Sequence, residues 1–106
     1  MKVVVNKEIV KKTNQIWGPD EVTDCAMEEF AEAIQAVSKV RRFPKDKRTY
    51  ENLNDEIADV LIAIEALEDL NLIDAESVQQ FIDFKQNRQK ARNNRKEMLM
   101  AAKAGK

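Results

Sequence analysis

Residues 52–70 read NLNDEIADVLIAIEALEDL, and the periodicity of that stretch decides the fold. At about 100° per residue, Leu53, Ile57, Val60, Leu61, Ile64 and Leu67 share one face, while Asn54, Glu65, Glu68 and Asp69 fall opposite. The spacing predicts a helix over about Tyr50 to Leu70. Its apolar face is interrupted by acids, with Glu56 inside the arc and Asp59 at its edge. Residues three apart are neighbours on a helix, and desolvating two unpaired carboxylates there costs several kcal/mol each. Something positive is expected beside them.

The same interruption occurs once more. Over Val22 to Val40 the residues Val22, Ala26, Phe30, Ala33, Val37 and Val40 form a helical stripe, Glu29 falls inside it, Glu32 borders it, and Glu28 points away. Packed against each other, the two helices bring Glu29, Glu32, Glu56 and Asp59 together. Four carboxylates do not all stay ionised at one place without a cation. A site made of oxygen ligands alone suits a hard ion, Mg²⁺ or Mn²⁺, which keeps waters and accepts phosphate oxygens as its other ligands.

The inventory narrows the chemistry further. The chain has 106 residues, no histidine, one cysteine (Cys25), two serines and two glycines. Histidine general acid/base catalysis, zinc sites of Cys and His, and intrachain disulfides are therefore excluded. So are a P-loop and a glycine-rich dinucleotide turn. Cys25, at the edge of a stripe, is expected as a small buried hydrophobe. Hydrophobic residues make up 43% and charged residues 35%, and with so little Gly and Pro the balance favours an all-α domain over strands and turns. No apolar run approaches a membrane span, and the opening MKVVVNKEIV is too short and too soon charged for a signal peptide. A cytoplasmic protein is expected, with no membrane partner.

Four main helices follow from the boundary signals. Asn6 caps a first helix ending at Trp17, before Gly18-Pro19. Asp20 is the expected cap of the second, which stops near Arg42 at Phe43-Pro44. The third is the helix already described, and Asp74 caps a fourth that starts with Val78, Phe81, Ile82 and Phe84. Residues 1–106 read as a single domain, with about 93–106 a basic C-terminal extension of weak amphipathicity, free to fray or to lie across a neighbouring subunit. The net charge of −1 is unevenly spread: Glu51 to Asp83 holds ten acids and no base, and Lys85 to Lys106 eight bases and one acid.

Glu29-Phe-Ala-Glu32 and Glu56-Ile-Ala-Asp59 are separated by 23 residues, and this E-x-x-E … E-x-x-D pattern resembles the MazG-like all-α nucleotide pyrophosphohydrolases. MEEFAEAIQAV is similar to the family's first motif and EIADVLIAIEAL to its second, and the resemblance extends from about Trp17 to Arg92. It implies a helical bundle assembled as a homodimer or a dimer of dimers. It also implies Mg²⁺-dependent hydrolysis of a nucleoside triphosphate between the α and β phosphates, giving a monophosphate and pyrophosphate. Glu29, Glu32, Glu56 and Asp59 would hold the metal, and Glu32 or Glu29 would act as base, Glu32 preferred. Lys85, Arg88 and Arg92, spaced i, i+3 and i+7, have a counterpart in the family that suggests phosphate contacts, for which the planar Arg fork is suited. Trp17 is a candidate for stacking on the base. The sister phosphoribosyl-ATP pyrophosphatases usually carry a histidine soon after the second motif, where this chain has VLIAIEAL, and that reading is disfavoured.

Two ordinary readings stand beside these. The acids could be surface carboxylates paired with Lys or Arg, and the basic end could serve a non-enzymatic bundle that binds nucleic acid or a protein partner. Nucleic acid is the weaker option, because no aromatic residue lies between Lys85 and Lys106 to stack on bases.

Overall fold

The computed structural model describes residues 1–105. Those residues form four helices and no strand: α1 (Lys7–Trp17), α2 (Pro19–Arg42), α3 (Lys47–Asp69) and α4 (Ala75–Ala104). The class is all-α, as the spacing predicts. The helices fall into two compact units, Met1–Leu72 with α1 to α3, and a second that begins at Ile73 and holds α4. None of the helices is long and apolar enough to cross a membrane.

Local chemistry sets the boundaries in the first unit. The Asn6 side chain accepts from the Ile9 N–H at 3.1 Å and starts α1. Gly18 ends it at φ 84, ψ 164, a conformation essentially confined to glycine. Pro19 then opens α2, where its missing N–H costs nothing. Asp20, expected as the cap, instead lies inside the first turn, where its charge favours the positive end of the helix. α3 also begins earlier than Tyr50, because Asp46 caps it: its carboxylate accepts from the Arg48 backbone N–H at 3.0 Å. The Arg48 guanidinium folds back onto the same carboxylate.

The short connection after Arg42 returns α3 along α2, and the two helices pack antiparallel over most of their length. Their buried residues are small: Val22, Ala26, Ala33 and Ala36 on α2, and Thr49, Ala63 and Ala66 on α3. Ala36 is 1% exposed. α1 adds Val10 and Asn14, and Val10, Val22 and Ala66 form a buried cluster flanked by Val5 and Leu70. Small residues let helix backbones approach closely, so the sealed seam is narrow and the wider stripe read from the sequence is not all enclosed. Val37 and Ile64 are exposed, and Phe30, Val40, Leu53, Ile57, Val60, Leu61 and Leu67 are half-buried. Cys25 is exposed as well, contrary to expectation, since the α2 seam passes through Val22 and Ala26 and leaves it to one side.

In the second unit the Asp74 carboxylate caps α4 by accepting from the Ser77 N–H at 2.9 Å. The helix runs unbroken through the basic segment to Ala104, including the stretch after residue 92 read as free to fray. Val78, Phe81, Ile82 and Phe84 near its start and Met98, Leu99 and Met100 near its end are exposed. The Arg88 guanidinium lies over the Phe84 ring, 5.7 Å from its centroid.

Candidate metal centre and adjoining groove

An antiparallel pair joined by a short turn brings together residues equally far from that turn. Glu29 lies about as far before the turn as Asp59 lies after it, and Glu32 is likewise matched with Glu56. One carboxylate oxygen from each of the four lies within 4.8 Å of the others. Opposite oxygens around a small divalent ion are separated by about 4–5 Å, so the cluster has the right size without rearranging either helix. Glu29, Glu56 and Asp59 are half-buried and Glu32 is exposed, as is Glu28 outside the cluster.

The electrostatics follow from this crowding. Burial, the neighbouring Asp59 charge and a hydrogen bond shared with Asp59 push the Glu29 carboxyl up to about 7, with smaller contributions from Glu32 and Glu56. The Glu56 carboxyl is raised too, by burial first and then by its hydrogen bond and charge interaction with Glu32. The register seen in the backbone therefore recurs in which neighbour acts most on each raised carboxyl: Asp59 on Glu29, and Glu32 on Glu56.

These acids have no basic partner in the first unit. Its ion pairs, among the described residues, are Lys7–Glu65 at 3.8 Å and Arg48–Asp46 at 3.0 Å. Moreover, Glu29 Oε2 and Glu56 Oε2 are shielded from water and accept no hydrogen bond. Buried carboxylate oxygens are normally satisfied, and an unpaired one is costly. Two such oxygens, one from each helix and both within an oxygen-only cluster, fit a hard divalent cation: Glu29, Glu32, Glu56 and Asp59 have the donor type and the spacing to hold it.

Beside the cluster, α1, α2 and α3 enclose an apolar groove of about 430 Å³ whose wall includes Glu29 and Asp59 at one part and Trp17 and Asn14 at another. Trp17 is 61% exposed, so its ring is available in the groove rather than consumed in the core. Asn14 is 7% exposed. Its Nδ2 donates to Ala66 O at 3.1 Å and to Asp69 Oδ2 at 2.9 Å, while its Oδ1 is shielded from water and has no donor. Sequence reading missed Asn14. The available signal was its place on the inner face of α1, at i, i+4 and i+7 with Val10 and Trp17, where an apolar residue is the rule.

Lys85, Arg88 and Arg92 belong to the second unit, where their spacing sets them along one side of α4 and all three are exposed. Comparison with family models, with curated proteins and with solved structures finds no match in any of the three.

Proposed function

We propose that this chain is a MazG-like nucleoside triphosphate pyrophosphohydrolase, converting an NTP or dNTP to the monophosphate and pyrophosphate. The observation that carries the reading is the convergence of Glu29, Glu32, Glu56 and Asp59 within 4.8 Å, with buried oxygens left without partners. Bound there, Mg²⁺ or Mn²⁺ would neutralise the triphosphate and lower the pKa of a coordinated water. The residues then divide the work. Glu29, Glu56 and Asp59, half-buried and held by the antiparallel seam, fix the position of the charge cage. Glu32, the exposed member, takes the proton of the attacking water as the bond between the α and β phosphates breaks. Lys85, Arg88 and Arg92 are assigned to phosphate oxygens, and Trp17 to the base.

Assembly as a homodimer or a dimer of dimers belongs to the same proposal. Its support is the amount of large apolar surface left open. Ile34, Val37, Ile62 and Ile64 are exposed on α2 and α3, and a groove of about 460 Å³ between the N-terminal residues and α3 is lined almost wholly by apolar side chains. A cytoplasmic location fits nucleotide chemistry of this kind. The deciding experiment is chromatographic separation of products from a panel of nucleotides incubated with and without Mg²⁺. Pyrophosphate and monophosphate are expected only with the metal. Orthophosphate in their place would move the cleavage to the γ phosphate, and no turnover of any nucleotide would favour a non-enzymatic bundle acting through its basic helix.

A further inference from the structure

We infer that the connection between α2 and α3 is a binding site for a single strand of nucleic acid, with its cations set against phosphates and the rings of Phe43 and Tyr50 stacked on bases. Residues 39–50 read KVRRFPKDKRTY. Lys39, Arg41, Arg42, Lys45, Lys47 and Arg48 are all exposed, and of these only Arg48 is in an ion pair among the described residues, with Asp46. Asp46 is the one acid of the stretch, and the Arg48 fork occupies both of its oxygens. Five cations are left without an ion-pair partner at one end of the helical pair. Helix electrostatics accounts for only some of them. Lys39, Arg41 and Arg42 lie in the last turn of α2, where positive charge is favoured. Lys47 and Arg48 open α3, where it is not, and α3 has no acid in its first turn.

Charge alone suits any polyanion, and the rings narrow the choice. Phe43 is 54% and Tyr50 44% exposed, and the backbone that carries them is fixed. The Phe43 N–H donates to Lys39 O at 2.8 Å, and the Asp46 N–H donates to Phe43 O at 3.1 Å. The buried Thr49 donates through its hydroxyl to Asp46 O at 2.7 Å, and the Tyr50 hydroxyl donates to Pro44 O at 2.6 Å. The Arg42 guanidinium lies over the Phe43 ring, 5.5 Å from its centroid. Exposed rings held beside unpaired cations are the components of a sequence-tolerant single-strand site, where every base offers a face to stack on. The basic part of α4 has the cations without the rings, since no aromatic residue follows Phe84. A duplex keeps its bases stacked on one another and gives the rings no partner. A lipid surface fits less well, because the bend between the rings is Pro44, Lys45 and Asp46, with charges of both signs. Arg42 follows Glu32 by ten residues and Arg48 precedes Glu56 by eight, on the order of 12–15 Å along the helices. The inference therefore stands apart from the reading of the carboxylates as a metal site.

The test uses the full chain and fluorescence anisotropy of labelled oligothymidylate and oligouridylate, which separate a DNA strand from an RNA strand. A duplex of matched length and vesicles containing phosphatidylserine are measured beside them. At least one single strand is expected to bind, more tightly than the duplex at physiological salt. Its log affinity should fall against log salt with a slope of about −2 to −3.5, at about 0.7 for each phosphate neutralised by up to five cations. Phe43→Ala should weaken binding about 5- to 100-fold at an unchanged slope, the effect of losing one stacked base, and Phe43→Tyr should retain it. Arg42→Ala combined with Lys45→Ala should instead make the slope shallower by about 1.4. These side chains are exposed, so the variants should keep the helix content of the native chain by circular dichroism, and pyrophosphate release should be unchanged in all of them. If a variant does not fold, the native preference for single strand over duplex decides. No binding of either strand, equal or tighter binding of the duplex, no effect of Phe43→Ala, or binding to vesicles alone would each overturn the inference. So would a loss of binding on replacing Lys85, Arg88 and Arg92 by alanine with none from the turn variants, which would move the contact to α4. Loss of pyrophosphate release in Phe43→Ala would overturn it too, by making the turn part of the nucleotide site.

Discussion

Proton and metal compete for the same oxygens, so metal affinity should depend on pH in the neutral range, where few carboxylates titrate. The Glu29 carboxyl sits at about 7 rather than 4.5. At pH 6 such a group holds its proton in roughly nine molecules of ten, and at pH 8 in about one of ten. A cation must displace that proton, so its apparent affinity should rise about tenfold from pH 6 to pH 8. The metal-free fold carries the matching signature. The folded chain binds this proton more tightly than the unfolded chain, so stability should be greatest below about pH 4.5 as far as this group is concerned, and decline as the pH rises through about 7. Allowing for solvent screening of a half-exposed group, the loss is about 1 kcal/mol, and saturating metal should restore it. Calorimetric titration with Mn²⁺ at pH 6, 7 and 8, in two buffers of different ionisation enthalpy, measures both the affinity and the protons released. Close to one proton should be released at pH 6 and almost none at pH 8 from this group. Affinity independent of pH, with no release at pH 6, would refute the placing of the ion at Glu29.

Other expectations follow from the same geometry. Glu29→Gln, Glu32→Gln, Glu56→Gln and Asp59→Asn should each lower kcat by about a hundredfold or more, while Glu28→Gln, outside the cluster, should leave it within about twofold. Arg88→Ala should act mainly on KM, and a loss confined to kcat would instead assign the guanidinium to the transition state. Gly18→Ala should destabilise by about 1–3 kcal/mol in urea denaturation, because the backbone there is closed to a side chain although the added carbon itself meets nothing within 4 Å. Ala36→Leu should cost about 1–3 kcal/mol by overfilling the seam at its most enclosed position. Sedimentation at micromolar concentration should show a dimer or tetramer, and a stable monomer would count against the assembly.

Much of this arrangement was legible because helices obey a period. The E-x-x-E and E-x-x-D spacings put each acidic pair on one face, and the brevity of the Phe43-Pro44 connection makes the two helices antiparallel, which is enough to bring the pairs together. What was not legible depended on how closely the helices approach. Periodicity assigns Val37, Ile64 and Cys25 to apolar stripes or their edges, but it says nothing of where a seam closes, and alanines closed it before those residues could be covered. The capping differences have a local cause. Asp20 and Asp46 are both good caps by residue type, yet Gly18 with Pro19 occupied the start of α2, and the Arg48 fork strengthened the earlier start of α3. Asn14 escaped notice because its importance lies in partners more than fifty residues away, on α3, that no local pattern reveals.

The alanine seam is also what makes the acidic cluster chemically useful. Carboxylate side chains are short, and oxygens from two helices can meet within 4.8 Å only where the backbones lie close. Ala26, Ala33 and Ala36 on α2 and Ala63 and Ala66 on α3 are five of the seven buried residues of the two helices that carry those acids, the others being Val22 and Thr49. Larger residues there would bury more apolar area and stabilise the first unit more, at about 25 cal/mol per Å², but they would separate the carboxylates. The fold thus gives up core for proximity. The same trade leaves large apolar side chains at the surface, where a partner subunit can cover them, and it leaves beside Glu29 and Asp59 a groove that bulkier core residues would have filled. Carboxylate cluster, groove and exposed apolar faces are three consequences of one choice of residue size along α2 and α3.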